Sequence, residues 1–490
     1  MALALAGRAL NCCGMSSASQ ALNDPAQGPA NSAANSARSH GPQHDPRARL
    51  IALFRELRAA TERLCAPLSA EDQQLQSMPA ASPTKWHRAH TTWFFEKALL
   101  EPAGLPPVDE LYGFLFNSYY ESFGPRHLRA ERGLLSRPSA EEVTRYRHEV
   151  DARVCQWLER ADHDELQRVT PLIELGVAHE EQHQELILTD ILHAFSRNPL
   201  EPAYCAPDPS PARESGELPA PLPASLQASP AGTAVSADAS SSAATRFLEH
   251  PGGLYEIGAE LGCGFCFDCE LPRHKLWLEP FELAEGLVTI AELKAFMRDG
   301  GYRTPSLWLS EGYDFVCAQG ISAPLYMSER DGVLRAFSLR GPRVPSDDEP
   351  VSHLSYYEAD ALARYLGARL PSEAEWELGA RDVAVLGSFV ECGHMHPARS
   401  SAAPGMQQVY GEVWQWTRSS YEPYPGYQPL PGAIGEYNGK FMVNQRVLRG
   451  GSCLTPARHL RASYRNFWYP DTRFQMTGLR LARDVRMSSP

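Results

Sequence analysis

The sequence has no apolar run approaching the ~20 residues that a membrane-spanning helix requires, so no span is predicted. It also lacks an excess of positive charge: 46 Lys and Arg stand against 59 Asp and Glu, a formal net charge of −13. That balance argues against nucleic acid or an anionic membrane as a partner, and neither is expected. A disulfide pattern is missing too. The 11 cysteines are odd in number and scattered, which does not suit a secreted disulfide framework, and a reducing cytoplasm is the expected compartment. The opening MALALAGRALNCCGM carries one arginine and no convincing cleavage site, so it does not read as a secretory signal, and Met15 serves equally well as a start. Residues 1–45 have almost no aromatic side chains and are rich in Ala, Ser, Asn, Pro and Gly. They are expected to form a disordered tail.

What is present centres on residues 172–195, LIELGVAHEEQHQELILTDILHAF, which read as one long helix starting after Pro171. His179, His183, Leu186, Asp190 and His193 recur at spacings of four and three, so they share one stripe. Two imidazoles four residues apart on one helix face can grip a single metal ion. The other reading of this stripe is a solvated charged face, since Glu180, Glu181, Gln182 and Glu185 lie beside it. Three more helices are predicted: residues 47–65, a segment opening at Ser82-Pro83 (KWHRAHTTWFFEKALL), and one capped at Ser139 with Glu142 completing a capping box. In the second of these, His90 falls among Trp86, Trp93 and Phe94 and points inward, whereas His87 is expected at the periphery. On its own, an inward histidine is more often a satisfied core residue than a ligand. Four helices make an all-α bundle whose core can hold a metal.

Residues 204–245 are Pro-, Ala- and Ser-rich and read as a linker between a bundle over 46–203 and a second domain over 246–486. The second domain is a series of short β-type runs with glycine-rich turns and two helical segments, TIAELKAFMRDGG and SYYEADALARYLG, hence α+β. Within it, CGFCFDCELPRH places Cys263, Cys266 and Cys269 at C-x2-C-x2-C spacing, a weak zinc signal with His274 as a fourth ligand.

The phrases RLPSEAEWELGAR, GEVWQWT, VLRGGSC, YRNFW and TGLRLA resemble the formylglycine-generating-enzyme (sulfatase-modifying-factor) domain, a C-type-lectin-like fold. Together with SPTKWHRAHTTWFFE, LFNSYYE, GPRH, HEEQHQELILTDILH and EYNGKFM, the whole resembles the ergothioneine-biosynthesis sulfoxide synthases, in which a DinB-like four-helix bundle precedes that domain. The resemblance covers roughly residues 48–203 and 246–484. It implies a non-haem Fe(II) held by His90, His179 and His183, and an O2-dependent joining of a thiol donor to C2 of the imidazole ring of hercynine. By the same resemblance, Gln182 meets the bound imidazole. Tyr119 or Tyr120, or Tyr427 in another branch, supplies a proton. Asn466, Phe467 and Trp468 cradle the trimethylammonium group, whose charge aromatic faces attract.

Arg126, Arg129 and Arg132 are spaced to meet a substrate carboxylate, Arg126 and Arg132 being the candidates, or else belong to a solvated turn. Val443 stands where the family carries cysteine, which leaves the sulfur donor open between cysteine and γ-glutamylcysteine. The oligomeric state is open as well.

Three other readings fit parts of the same residues. The selenoneine synthases resemble this architecture and take a selenosugar donor. HEEQH also satisfies H-E-x-x-H, with Glu180 as the base of a zinc hydrolase. A lectin-like domain can also serve as a non-catalytic binding module.

Overall fold

The computed structural model describes residues 45–206, 245–399, 405–430, 435 and 438–485. The tail expected over 1–45 and most of the linker expected over 204–245 lie outside the described residues. From Pro46 onward the chain forms one compact unit. Its first part contains α1 (Pro46–Cys65), α2 (Thr84–Phe95), the short α3 (Tyr112–Phe116), α4 (Ala140–Arg160) and α5 (His163–Ser196). Each of α1 and α2 packs on both α4 and α5, which closes a four-helix bundle.

Local sequence accounts for where these helices begin. Ser139 and Glu142 form the expected capping box at the head of α4. A second box, Asp162 with Glu165, starts α5 nine residues before the position expected from the proline. Pro171 removes one amide donor and crowds the carbonyl four residues back, yet the capped turns upstream carry the helix through it. Gly176 sits where α5 meets α2, and a Cβ there would lie 2.5 Å from Cε1 of Phe95. The close approach requires the missing side chain.

The second part contains α6 (Ile290–Arg298), α7 (Ser310–Gln319), α8 (Tyr356–Tyr365) and α9 (Glu373–Ala380). Four small sheets surround them. β1 (Phe247–His250), β4 (Phe281–Leu287) and β12 (Arg480–Asp484) form one, and β2 (Gly253–Ile257) with β3 (His274–Leu278) forms another. β5 (Met327–Arg330), β6 (Val333–Ser338) and β7 (Gly341–Arg343) make a meander. The fourth sheet runs β10 (Asn466–Trp468), β9 (Arg446–Arg449), β8 (Trp414–Ser420), β11 (Thr477–Gly478), with β8 and β11 parallel. Two of the helices, α7 and α9, were not expected. α7 is short and interrupted by Gly312, which blurs its periodicity, whereas α9 did carry a start signal in its Ser372–Glu375 capping box.

Helix α5 joins the two parts. At about 100° per residue, its positions divide into three faces. His179, His183 and Asp190 share one. Glu180 and Gln184 look toward α1, and Glu181, Gln182, Glu185 and Thr189 look toward the second part. On the α1 face, Glu180 is fully buried and accepts from Arg58 at 2.7 Å, from Thr61 at 2.6 Å, and from Arg147, itself without exposed surface. Burial alone would raise the Glu180 carboxyl, but the Arg147 and Arg58 guanidiniums hold it down at about 2.

On the face toward the second part, Glu185 accepts from Trp414 Nε1 at 2.8 Å, Ser452 Oγ at 2.6 Å and Thr455 Oγ1 at 2.8 Å. Beside it Arg458 donates to Glu181 at 2.8 Å, and Gln182 Nε2 donates to the Tyr464 hydroxyl at 2.8 Å. Gly450 and Gly451, at φ +96° and +79°, turn the chain after β9 so that Ser452 reaches α5. Tyr204 and Cys205, at the head of the expected linker, donate their amides to the Leu339 carbonyl of the second part.

Removing Glu180 leaves Arg147 buried and short of its closest counter-charge. Glu180→Ala is expected to cost about 3–5 kcal/mol in a denaturant unfolding measurement. A loss within the error of that measurement would show that the buried ion cluster does not hold the bundle together.

Candidate metal centre and active site

His90 comes from α2, and His179 and His183 come from α5. All three are buried, with side-chain nitrogens within 4.8 Å of one another, the one such cluster of His, Cys, Asp or Glu among the described residues. The rings are held by aromatic packing. His90 stacks on Trp86 at 4.6 Å and a 12° interplanar angle, with Trp93 at 5.6 Å, and His179 lies 4.8 Å from Phe94. Burial pushes all three imidazoles below their ordinary range, His179 to about 3. They are therefore neutral, with lone pairs available to a cation.

The donor set fits a metal ion. His90 Nδ1 lies 2.6 Å from the Phe116 carbonyl, which can only accept, so the proton is on Nδ1 and Nε2 carries the lone pair. That Nε2 stands 3.0 Å from His179 Nε2. Two imidazole nitrogens at that separation, each about 2.1 Å from one ion, would subtend about 90°. That angle suits adjacent positions on a metal that keeps others open for substrates.

His87, expected at the periphery, is 2 % exposed. Its Nδ1 is 2.7 Å from His183 Nδ1 and its Nε2 is 3.0 Å from Asp190 Oδ2. It was misjudged because α2 is buried on every side, so its apolar stripe does not mark which face is inward. The polar residues opposite that stripe are satisfied internally: Arg88 donates to Glu62 and Gln73, and Lys85 to the Pro138 carbonyl.

Residues 53–187 match the model of the DinB superfamily. Residues 233–400 and 383–485 match that of the sulfatase-modifying factor enzyme 1-like domain. The chain is 32% identical over 465 residues to the hercynine oxygenase of Mycolicibacterium thermoresistibile, spanning 88% of this chain and 95% of that one. This protein belongs to the hercynine oxygenase family. The Mycolicibacterium smegmatis hercynine oxygenase is 30% identical over 466 residues, covering 88% of this chain and 98% of its own. The formylglycine-generating enzyme of Streptomyces coelicolor is 29% identical over 284 residues, 49% of this chain and 89% of its own length.

The remaining expected residues fall into separate groups. Tyr119 and Tyr120 stack at 4.6 Å, and Tyr120 packs on Trp93 and Phe94 beside the histidines. Phe441 meets the Tyr119 ring edge-on at 5.2 Å and Phe467 at 5.9 Å, and Phe467 stacks on Tyr421 at 4.1 Å. This file of rings crosses from the bundle into the second part. Alternation along β10 puts Trp468 on the opposite side from Phe467, against Phe474 at 5.3 Å. Asn466 shares the Trp468 side, and its Oδ1 accepts from the Phe467 amide at 2.8 Å.

The arginines do not converge. Arg126 pairs with Glu121 near the surface, and Arg129 donates to the Ala80 carbonyl. Arg132 is buried, 3.4 Å over the Trp86 ring, and donates to Ser82 and Ser118. Burial pulls its guanidinium down to about 8.

Tyr427 donates to Asp268 Oδ2 at 3.1 Å, and Asn438 donates to Asp268 Oδ1 at 2.9 Å. Asp268 and Asn438 line a cavity of ≈ 270 Å³ whose other wall is Pro171, Glu174 and Leu175 of α5, the last one turn before His179. Asp268 and Tyr464 were missed by the sequence reading. Only their contacts with Tyr427 and Gln182 single them out, and those contacts span 159 and 282 residues of chain.

Cys263, Cys266, Cys269 and His274 form no metal cluster: Cys269 is buried, Cys263 is exposed, and His274 Nδ1 is 3.0 Å from the Pro272 carbonyl. Glu180 faces α1 rather than the histidines and is committed to two guanidiniums, so it cannot act as the base of a zinc hydrolase.

His179→Ala leaves two imidazoles in the set and is expected to abolish stoichiometric metal binding, read as metal content of purified, reconstituted protein. Wild-type content in that variant would remove the three-histidine assignment.

Proposed function

We propose that this protein is an O2-dependent, non-haem Fe(II) sulfoxide synthase of ergothioneine biosynthesis, joining a thiol donor, cysteine or γ-glutamylcysteine, to C2 of the hercynine imidazole. One observation carries the reading: a buried, neutral three-histidine set between α2 and α5 in the bundle core, in a chain that matches hercynine oxygenases almost end to end. His90, His179 and His183 hold the iron. Bound there, the iron would supply O2 activation and would lower the pKa of a donor thiol. Three neutral ligands leave the ion's charge uncompensated, so the site favours an anionic donor over a neutral one.

The chain's own residues then orient the reactants and handle protons. Gln182, held by Tyr464, presents its side-chain amide at the seam to the hercynine ring. Phe467, in its file with Phe441 and Tyr421, offers a ring face to the trimethylammonium group, whereas Asn466 and Trp468 lie on the other side of β10 and support that wall from behind. Arg132, a buried guanidinium beside the ligand helix α2, serves a substrate carboxylate, and Arg126 joins it only by giving up its pair with Glu121.

Tyr120, one ring removed from the histidines through Trp93 and Phe94, and Tyr119, stacked on it, are the proton donors of first choice, while Tyr427 is positioned by Asp268 at the neighbouring cavity. Holding donor and acceptor side by side supplies a large share of the rate. The domains act as a bundle over 46–203 and a catalytic wall over 246–486. Among the described residues no helix is long and apolar enough to cross a membrane, and we place the reaction in the reducing cytoplasm, where the thiol donors persist.

The deciding experiment supplies iron-loaded protein with hercynine and O2 together with cysteine, γ-glutamylcysteine and a selenosugar, and reads the products by mass spectrometry. A sulfoxide adduct is expected and names the donor. A selenium adduct would move the protein to selenoneine synthesis, and no adduct would overturn the proposal. For the proton donor, Phe at the working tyrosine is expected to slow sulfoxide formation by about 10²-fold or more. A Tyr119→Phe/Tyr120→Phe double variant with wild-type rate transfers the role to Tyr427.

A further inference from the structure

We propose that His87 and Asp190 are positioning residues of the metal centre: together they form a carboxylate–imidazole relay that fixes His183 in the tautomer presenting Nε2 to the metal. The inference rests on the three-histidine centre described above and assigns roles to two side chains outside it.

The proton positions follow from donor and acceptor counting. Asp190 Oδ2 accepts from the Ser82 amide at 2.8 Å and lies 3.0 Å from His87 Nε2. A carboxylate only accepts, so the His87 proton sits on Nε2. A neutral ring has one proton, so His87 Nδ1 is an acceptor. It lies 2.7 Å from His183 Nδ1, which must therefore donate. The single proton of His183 is then on Nδ1, which leaves the lone pair on Nε2 of a ring centred 4.7 Å from those of His90 and His179. Without the relay the two tautomers of His183 compete, and the one protonated on Nε2 cannot bind metal.

Burial makes the relay effective: His87 is 2 %, Asp190 7 % and His183 8 % exposed, so water competes little for these bonds. The arrangement also couples the helices. α2 supplies a ligand, His90, and a relay member, His87, while α5 supplies His179 and His183 and, two turns on, Asp190. The relay thus spans the same α2–α5 contact that the metal would bridge. His90 reaches the same tautomer by a simpler device, its bond to the Phe116 carbonyl.

The test is anaerobic Fe(II) titration of the metal-free full chain, with the visible spectrum of the Co(II)-loaded protein as a second readout. His87→Phe keeps a ring in place without polar atoms, and Asp190→Leu keeps volume without an acceptor. Each is expected to weaken Fe(II) binding by about 10–100-fold and to alter the Co(II) spectrum. Asp190→Asn is expected to lose much less, because the Ser82 amide requires an acceptor there and holds the Asn oxygen toward His87.

Wild-type affinity and spectra in both His87→Phe and Asp190→Leu would overturn the relay, as would a loss in Asp190→Asn equal to that in Asp190→Leu. Should a variant not fold, nitrogen-15 NMR of histidine-labelled, Zn(II)-loaded wild-type protein decides: Nε2–H on His87 and Nδ1–H on His183 are expected, and the opposite tautomers refute it. Failure of the unaltered protein to bind Fe(II) would instead refute the metal centre itself, so the two failures are separable.

Discussion

A helix buried on every side must satisfy every polar group it carries, and α5 carries His, Glu, Gln, Thr and Asp through its buried half. The fold meets this constraint by giving each side its own partners. Charge is neutralised toward α1, where Arg58 and Arg147 take Glu180. It is hydrogen-bonded toward the second part, where Trp414, Ser452 and Thr455 take Glu185. It is withheld on the remaining side, where the ring nitrogens are neutral and only Asp190, at the far end, is acidic. Each buried ionised group would cost several kcal/mol if left alone, so these partners are conditions of the helix existing in this place.

This segregation also sets the chemistry. Neutral imidazoles in an apolar pocket between Trp86, Trp93 and Phe94 are good ligands for a borderline cation and poor general acids. Proton donation at such a site would have to come from groups outside the three histidines, and in the proposed reaction that part falls to the tyrosines. Glu180 illustrates the same logic in reverse. It sits one residue after a ligand, about 100° round the helix, and is thereby removed from the site despite fitting a hydrolase pattern. Direction on the helix overrides adjacency in sequence.

How much of this was legible in the sequence depends on range. The 4-3-4-3 spacing on α5 and the Ser139–Glu142 cap are local patterns, and the helices and the shared face of His179 and His183 follow from them directly. His90 was ambiguous from its own segment, because an inward histidine among aromatics has the same pattern whether or not it binds metal, and only resemblance to a known family made it a ligand. His87 was misread for a physical reason: in a helix buried all round, polar side chains cease to report the solvent side. The early start of α5 was hidden by Pro171, whose local penalty the capped upstream turns outweigh. The Gln182–Tyr464 and Tyr427–Asp268 contacts join distant segments and leave no trace in either one.

The two parts therefore need each other in a specific sense. The formylglycine-generating relatives match about half of this chain, the half without His90, His179 and His183. In this protein the second domain's Cys453 is buried and forms no disulfide, and burial first, then Glu412 and Glu185 nearby, pushes its thiol well above the ordinary range. A thiol so held is a poor nucleophile and a poor ligand. What the second domain retains is shape: the turn of Gly450 and Gly451 that brings Ser452 to Glu185, the wall of β10, and the Asp268 cavity beside Leu175. The same backbone that elsewhere supports a different chemistry is here fastened to the helix that carries His179 and His183, and the bonds along α5 are what hold it there.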